Sequence, residues 1–115
     1  MSLLTASDDM LEALTGATHI VLEANHDVDM LRSSPYPFTV RERIASARGH
    51  LSNVQSAEAA VRLASRGAQS IMLSHLSENC NTPELALGTV SDALRQNGLS
   101  PLLKAAARYE VTRLI

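Results

Sequence analysis

The sequence predicts an α/β layered domain, on three observations. Short β-branched and apolar runs, Thr18 to Ala24 and Gln69 to Ser74, read as buried strands. Amphipathic stretches with recognisable caps lie between and after them. Each apolar run also ends in a burst of polar residues, where proteins of this class place their chemistry.

Taken in order, Ser7 is placed to cap a short helix with Asp8 and Asp9 in its first turn. Met10, Leu11 and Leu14 form its apolar face, and Gly16 lies beyond its end. The first strand gives way to Glu23-Ala24-Asn25-His26-Asp27, and a short helix runs from Asp27 to about Arg32. Ser33-Ser34-Pro35-Tyr36-Pro37 carries the strongest breaking signals in the chain. Thr39 to about Ala47 reads as a helix with Val40 and Ile44 inward and Gly49 as its stop.

Ser52-Asn53-Val54-Gln55 fits a capping box, and Val54, Ala57, Val61 and Ala64 form a helical stripe as far as Gly67. After the second strand, Thr82 caps a helix, Pro83 suits its first position and Gly98 follows its end. Leu87, Val90 and Leu94 form its inner face, and the tail from Leu103 to Ile115 offers one or two terminal strands. Three strands make a small sheet, and buried parallel strands need cover on both faces, so further strands are expected from elsewhere. Neither an internal repeat nor a low-complexity segment is present.

At 115 residues the chain is one domain or a piece of one. Hydrophobic residues make up 45% and charged residues 19%, an ordinary soluble balance. A net charge of −2 argues against a stand-alone nucleic-acid binder, which shows an excess of Lys and Arg, though not against a nuclease that grips through metal ions. The single Cys80 cannot form an internal disulfide, which points to a reducing compartment. With no signal-peptide pattern at the N-terminus and no apolar run of membrane-span length, a cytoplasmic location without membrane association is expected. Aromatics make up only 3%, so no base-stacking platform is expected.

The candidate site residues have bland readings beside their functional ones. Glu23, Asn25, His26 and Asp27 could ligate metal, orient another ligand or shuttle protons; equally, Asn25 or Asp27 could simply cap a helix. His50, between a glycine and a helix start, could meet a phosphate or an oxyanion, or be a loop histidine beside a capping Ser52. His75, at a strand end, is held where a rigid sheet can offer a metal ligand, or is a core histidine bonded to a backbone carbonyl. His19 is structural or exposed, and Cys80 has no base beside it that would make it a nucleophile. Arg41, Arg43 and Arg48 could meet phosphates or form a solvated helix face. The Gly-rich phosphate loop, the Gly-x-Ser-x-Gly elbow and the Cys-x-x-Cys pair do not occur.

An ordered series of motifs runs through nearly the whole chain. It comprises Leu22-Glu23-Ala24-Asn25-His26-Asp27, Pro35-Tyr36-Pro37, Arg43-Ile44-x-Ser46, Gly49-His50-Leu51-Ser52-Asn53, Ser74-His75-Leu76-Ser77-Glu78 and Thr82-Pro83-Glu84-Leu85-Ala86. The series resembles the metallo-β-lactamase superfamily, in particular its small single-domain bacterial branch of exonuclease-like, metal-dependent hydrolases. The resemblance implies the C-terminal half of an αββα sandwich, an incomplete sheet covered by helices. It implies a centre of two divalent metal ions, zinc or manganese, that hydrolyses phosphodiesters of a nucleic acid with an activated water. His75 matches the last metal-ligand histidine, and His50 the histidine that binds the scissile phosphate or protonates the leaving oxygen. Glu23 matches the acidic residue that orients a partner histidine. Ser52, Asn53, Asn25 and His26 fall on the substrate side, with Asn25, His26 and Asp27 forming a signature of the branch.

The primary signature of that family, His-x-His-x-Asp-His, is missing, as is its mid-chain histidine ligand. Residues 1–115 are therefore expected to be the C-terminal half of the domain. On that reading the isolated chain is inactive, binds no metal tightly, and awaits its N-terminal half or another copy. A non-catalytic interaction module, or half of a split enzyme pairing with another chain, is the alternative.

Overall fold

The computed structural model describes residues 8–45 and 50–106. The elements run α1 (Asp8–Leu14), β1 (His19–Glu23), α2 (Val28–Arg32), α3 (Phe38–Ala45), α4 (Asn53–Ser65), β2 (Ser70–Ser74), α5 (Pro83–Gln96) and β3 (Leu102–Ala105). The strands form one parallel sheet in the order β1-β2-β3. The α/β class and the element order agree with the sequence reading. The Ser7 cap, residues 46–49 with Arg48 and the Gly49 stop, and the tail beyond 106 lie outside the described residues, as does the side chain of Met10. No helix among the described residues is long and apolar enough to cross a membrane.

The helix starts follow from their caps. Ser52 Oγ accepts from Gln55 N at 3.2 Å while Gln55 Oε1 accepts from Ser52 N at 2.8 Å, the reciprocal pair of a capping box. Thr82 Oγ1 accepts from Leu85 N at 3.1 Å, and Pro83 fills the first turn, where its missing N–H has no partner to lose. Gly67, with φ at +113°, turns the chain out of α4 into β2 through a conformation that L-residues rarely adopt.

Alternation along the strands divides the sheet. Ile20 and Leu22 of β1 and Ile71 and Leu73 of β2 face a helical layer, where they meet Leu11, Ala57, Ala60, Leu63, Ala86, Val90 and Leu94. On the opposite face Val21 is 61% exposed and Leu102 47%, so that face is open at both edge strands. Ser70 and Met72 of the central strand, Met72 flanked in register by Val21 and Lys104, are buried there.

Helix α4 differs from the sequence reading in its rotation. Asn53, Ser56, Ala57, Ala59, Ala60 and Leu63 are buried, while Val54 is 51% exposed. Small residues explain the phase: Ser56, Ala59 and Ala60 let α4 lie close against its neighbours, which a branched side chain would hold off. Val40 and Ile44 of α3 are only half-buried, and none of that helix is fully inside. In α5, Ala86 takes the central place and Leu87 packs at the edge.

Truncation should separate the two phases of α4. Leu63→Ala is expected to cost about 2–5 kcal/mol in urea unfolding, as a buried leucine does. Val54→Ala should cost less than about 0.5 kcal/mol, as surface changes do. Equal costs at the two positions would mean that the helix is turned the other way.

Candidate active site

In a parallel sheet the carboxyl ends of neighbouring strands lie side by side. Glu23, the last residue of β1, is in register with Ser74, the last of β2, so His75 begins one residue beyond it. His50 arrives from the connection into α4. The Glu23 carboxylate gathers them: Oε2 lies 2.8 Å from His75 Nδ1, and Oε1 accepts from Leu51 N at 2.8 Å. His50 Nδ1 lies 3.2 Å from Oε1 and 3.3 Å from Oε2. The two imidazoles meet edge to face, with centroids 5.1 Å apart.

This geometry decides the tautomers. An ionised carboxylate only accepts, so each neutral imidazole facing it carries its proton on Nδ1 and leaves a lone pair on Nε2. Burial pushes the Glu23 pKa up, but hydrogen bonds from His75, Leu51 N and His50, with the nearby His50 charge, outweigh it. The net shift is downward from 4.5, and Glu23 stays ionised at neutral pH.

The backbone beneath is an irregular extension of the sheet. Ala24 N donates to Ser74 O at 3.0 Å, Asn25 N to Leu51 O at 2.8 Å, Asn53 N to His26 O at 2.8 Å and Ser77 N to Asn25 O at 2.7 Å. His26 and Ser52 form an isolated parallel bridge. Ser56 Oγ donates to the Glu23 carbonyl, holding the end of β1 against α4. His75 sits in the left-handed region at φ +60°, which costs a non-glycine residue on the order of 1 kcal/mol. The Asn25 side-chain amide donates to the His75 carbonyl at 2.9 Å and helps hold that turn.

The site residues read from the sequence therefore separate into two groups. Glu23, His50 and His75 come together at the surface, with possible ligand atoms within 4.8 Å of one another. His26, Ser52 and Asn53 lie below, each buried. Asn53 and Asn81 exchange side-chain amide bonds at 2.9 and 2.8 Å, and Asn81 Nδ2 also donates to Ala24 O at 2.9 Å. Asn25 lines the cavity beside the imidazoles. Asp27 caps α2, with Oδ2 accepting from Met30 N at 3.0 Å.

His19 pairs with Ser70 Oγ at 2.9 Å, away from the cluster. Arg41 donates to Arg32 O and lies 6.0 Å from the Phe38 ring centroid. Cys80 is buried, and its carbonyl accepts from Asp27 N at 2.8 Å, so it belongs to the packing under the site. The sequence reading missed Asn81 and Ser56. A buried asparagine pair has no periodicity of its own, and Ser56 looks like any small helical residue.

The chain is 42% identical over 93 residues to "Exodeoxyribonuclease WalJ" of Streptococcus pneumoniae, with the same figures for serotype 2 strain D39 and strain R6. It is 40% identical over 92 residues to "Exodeoxyribonuclease YycJ" of Bacillus anthracis. Over that stretch the chain is similar to the WalJ/YycJ exonucleases, as a C-terminal fragment of that metallo-β-lactamase family would be. The alignments take in 81% and 80% of the chain but 35% of each relative, so the chain spans about a third of the length of the curated relatives it matches. No family model and no solved structure matches it.

Divalent metal is what the WalJ/YycJ resemblance implies, and the donor set fits one wall of such a site. A carboxylate on Nδ1 is the arrangement that orients metal-binding histidines and raises the basicity of Nε2. The Glu23–His50–His75 group is too small to complete a centre of two ions.

Below the cluster, His26 should make stability depend on pH. Burial lowers its pKa from 6.5, helped by the His50 charge and opposed by Glu23 and Asp27. A histidine held neutral in the fold but free to protonate when unfolded contributes above the unfolded value of 6.5. That contribution is lost as pH falls toward the folded value. Urea unfolding between pH 7.5 and 5.5 should therefore show a smaller loss of stability for His26→Asn than for the wild type. Identical slopes would mean that His26 is not held neutral.

Proposed function

We propose that this chain forms one side of a metal-dependent phosphodiesterase site of the metallo-β-lactamase fold that acts on DNA from an end. The observation that carries this reading is the Glu23 carboxylate bonded to Nδ1 of both His50 and His75, which leaves Nε2 of each for a ligand. The names of the WalJ and YycJ relatives, exodeoxyribonucleases both, support DNA as the substrate and an end as the point of attack.

His75 Nε2 is the metal-binding atom on this reading. A divalent cation, zinc or manganese, would supply an activated water and counter-charge for the phosphate oxygens. Glu23 fixes both rings and keeps them from turning. His50, anchored through Nδ1, presents Nε2 to the phosphate and, when that atom carries a proton, delivers it to the leaving oxygen. Asn25 lies on the substrate side, while His26, Ser52 and Asn53 support the backbone that carries Glu23 and Leu51.

The remaining ligands come from another segment or another chain, so the isolated 115 residues bind metal weakly and do not hydrolyse DNA. A non-catalytic pairing module is the second reading, favoured by Val21 and Leu102 on the open sheet face. It predicts oligomers whose formation is indifferent to metal.

Zinc titration of the chain, followed by imidazole NMR signals, tests the proposal. Fast-exchanging shifts at His75 that vanish in His75→Ala are expected, while His50→Ala should keep them. In the enzyme with its remaining ligands supplied, His50→Ala should lower turnover about 10²–10⁴-fold with metal retained. Full activity in both variants, or zinc shifts that ignore His75, would contradict the assignment.

A further inference from the structure

A cavity of about 250 Å³ adjoins the imidazoles. Tyr36, Leu31, Ile44 and Leu76 form its apolar and aromatic walls, and Ser77 and Cys80 also line it. Among the described residues no Asp, Glu, Lys or Arg side chain lines it, whereas His50 and His75 both do. The imidazoles supply the polar end of the cavity, and the rest of the space suits a neutral, flat, apolar ring. The volume falls just below the roughly 300–1,000 Å³ of pockets that take drug-sized ligands, so it holds about one ring system. Tyr36 is fixed in place between Pro35 and Pro37, and Asn79 Nδ2 donates to its hydroxyl at 2.9 Å. An aromatic side chain held this way is already arranged to stack, at little further cost in entropy.

We infer that this cavity takes the base of the terminal nucleotide, stacked on Tyr36, while the phosphate that follows lies on the His50 side of the cluster. This rests on the phosphodiesterase reading and deepens it: a pocket of one ring's size holds a single base, as an enzyme that works from a strand end requires. The chain has few aromatics and no extended stacking surface, but one ring at one pocket suffices to hold one base.

The test uses the full chain and amide NMR titration, with deoxyadenosine 5′-monophosphate and deoxyribose 5-phosphate as probes. The nucleotide should shift signals of Tyr36, Ile44 and Leu76 and bind about tenfold tighter than the sugar phosphate, as one base–aromatic stack allows. Tyr36→Ala should bring the two probes to parity, and Tyr36→Phe, which keeps the ring, should preserve the difference. A linear single-stranded oligodeoxyadenylate should displace the nucleotide, and a circular one, which has no end, should not. Equal affinity of the two probes for the wild type, or equal displacement by the circle, would overturn the inference. The wild-type comparison decides even if Tyr36→Ala fails to fold. Zinc shifts at His75 recorded on the same samples separate the two ideas. Base preference without zinc binding removes the nuclease reading alone, and zinc binding without base preference removes this one alone.

Discussion

One carboxylate holds the site together. Glu23 accepts hydrogen bonds from His50, Leu51 and His75, all far from it in the sequence. Those donors fix two segments: the entry into α4, through His50 and Leu51, and the exit from β2, through His75, are both tied to the end of β1. Remove the acceptor and the two rings are free to turn, with either nitrogen able to carry the proton. The value of Glu23 is therefore geometric as well as electrostatic.

The fold makes that meeting inexpensive. Parallel strands bring their carboxyl ends to one edge, so a residue ending β1 and a residue following β2 become neighbours without a long loop. Beneath them, the Asn53–Asn81 exchange and the Ala24 carbonyl fill a polar gap that would otherwise leave buried groups without partners. Among the described residues, His75 is the one non-glycine residue in the left-handed region, a conformation that works against the chain. Such a departure persists only where the surroundings over-determine it, and here the Asn25 amide and the Glu23 carboxylate both do so.

Much of this was legible in the sequence, because caps and punctuation are local. Ser52 with Gln55, Thr82 with Pro83, and the apolar run from Ser70 to Ser74 each carry their own signal. The rotation of α4 was not legible, since Val54 outweighs Ser56 and Ala59 in hydropathy although the smaller residues are the ones that fit inside. The nearness of Glu23, His50 and His75 followed from motif resemblance, and their individual spacing alone could equally describe a cap, a loop and a core histidine. What no reading of spacing supplies is the direction of the hydrogen bonds: that both histidines turn Nδ1 to one carboxylate depends on the His75 turn and on the strand register, both long-range facts. The Tyr36 cavity is of the same kind, since its walls come from α2, α3 and the loop after β2.

Long-range proton–nitrogen correlation NMR of the histidine rings at pH 7.5 reads directly whether Glu23 is the acceptor for both imidazoles. In the neutral form of each ring the proton should sit on Nδ1 of both His50 and His75, and Glu23→Gln should return at least one of them to the Nε2–H form. Finding Nε2–H on both rings in the wild type would contradict it, because Glu23 would then not be the acceptor that orders the site.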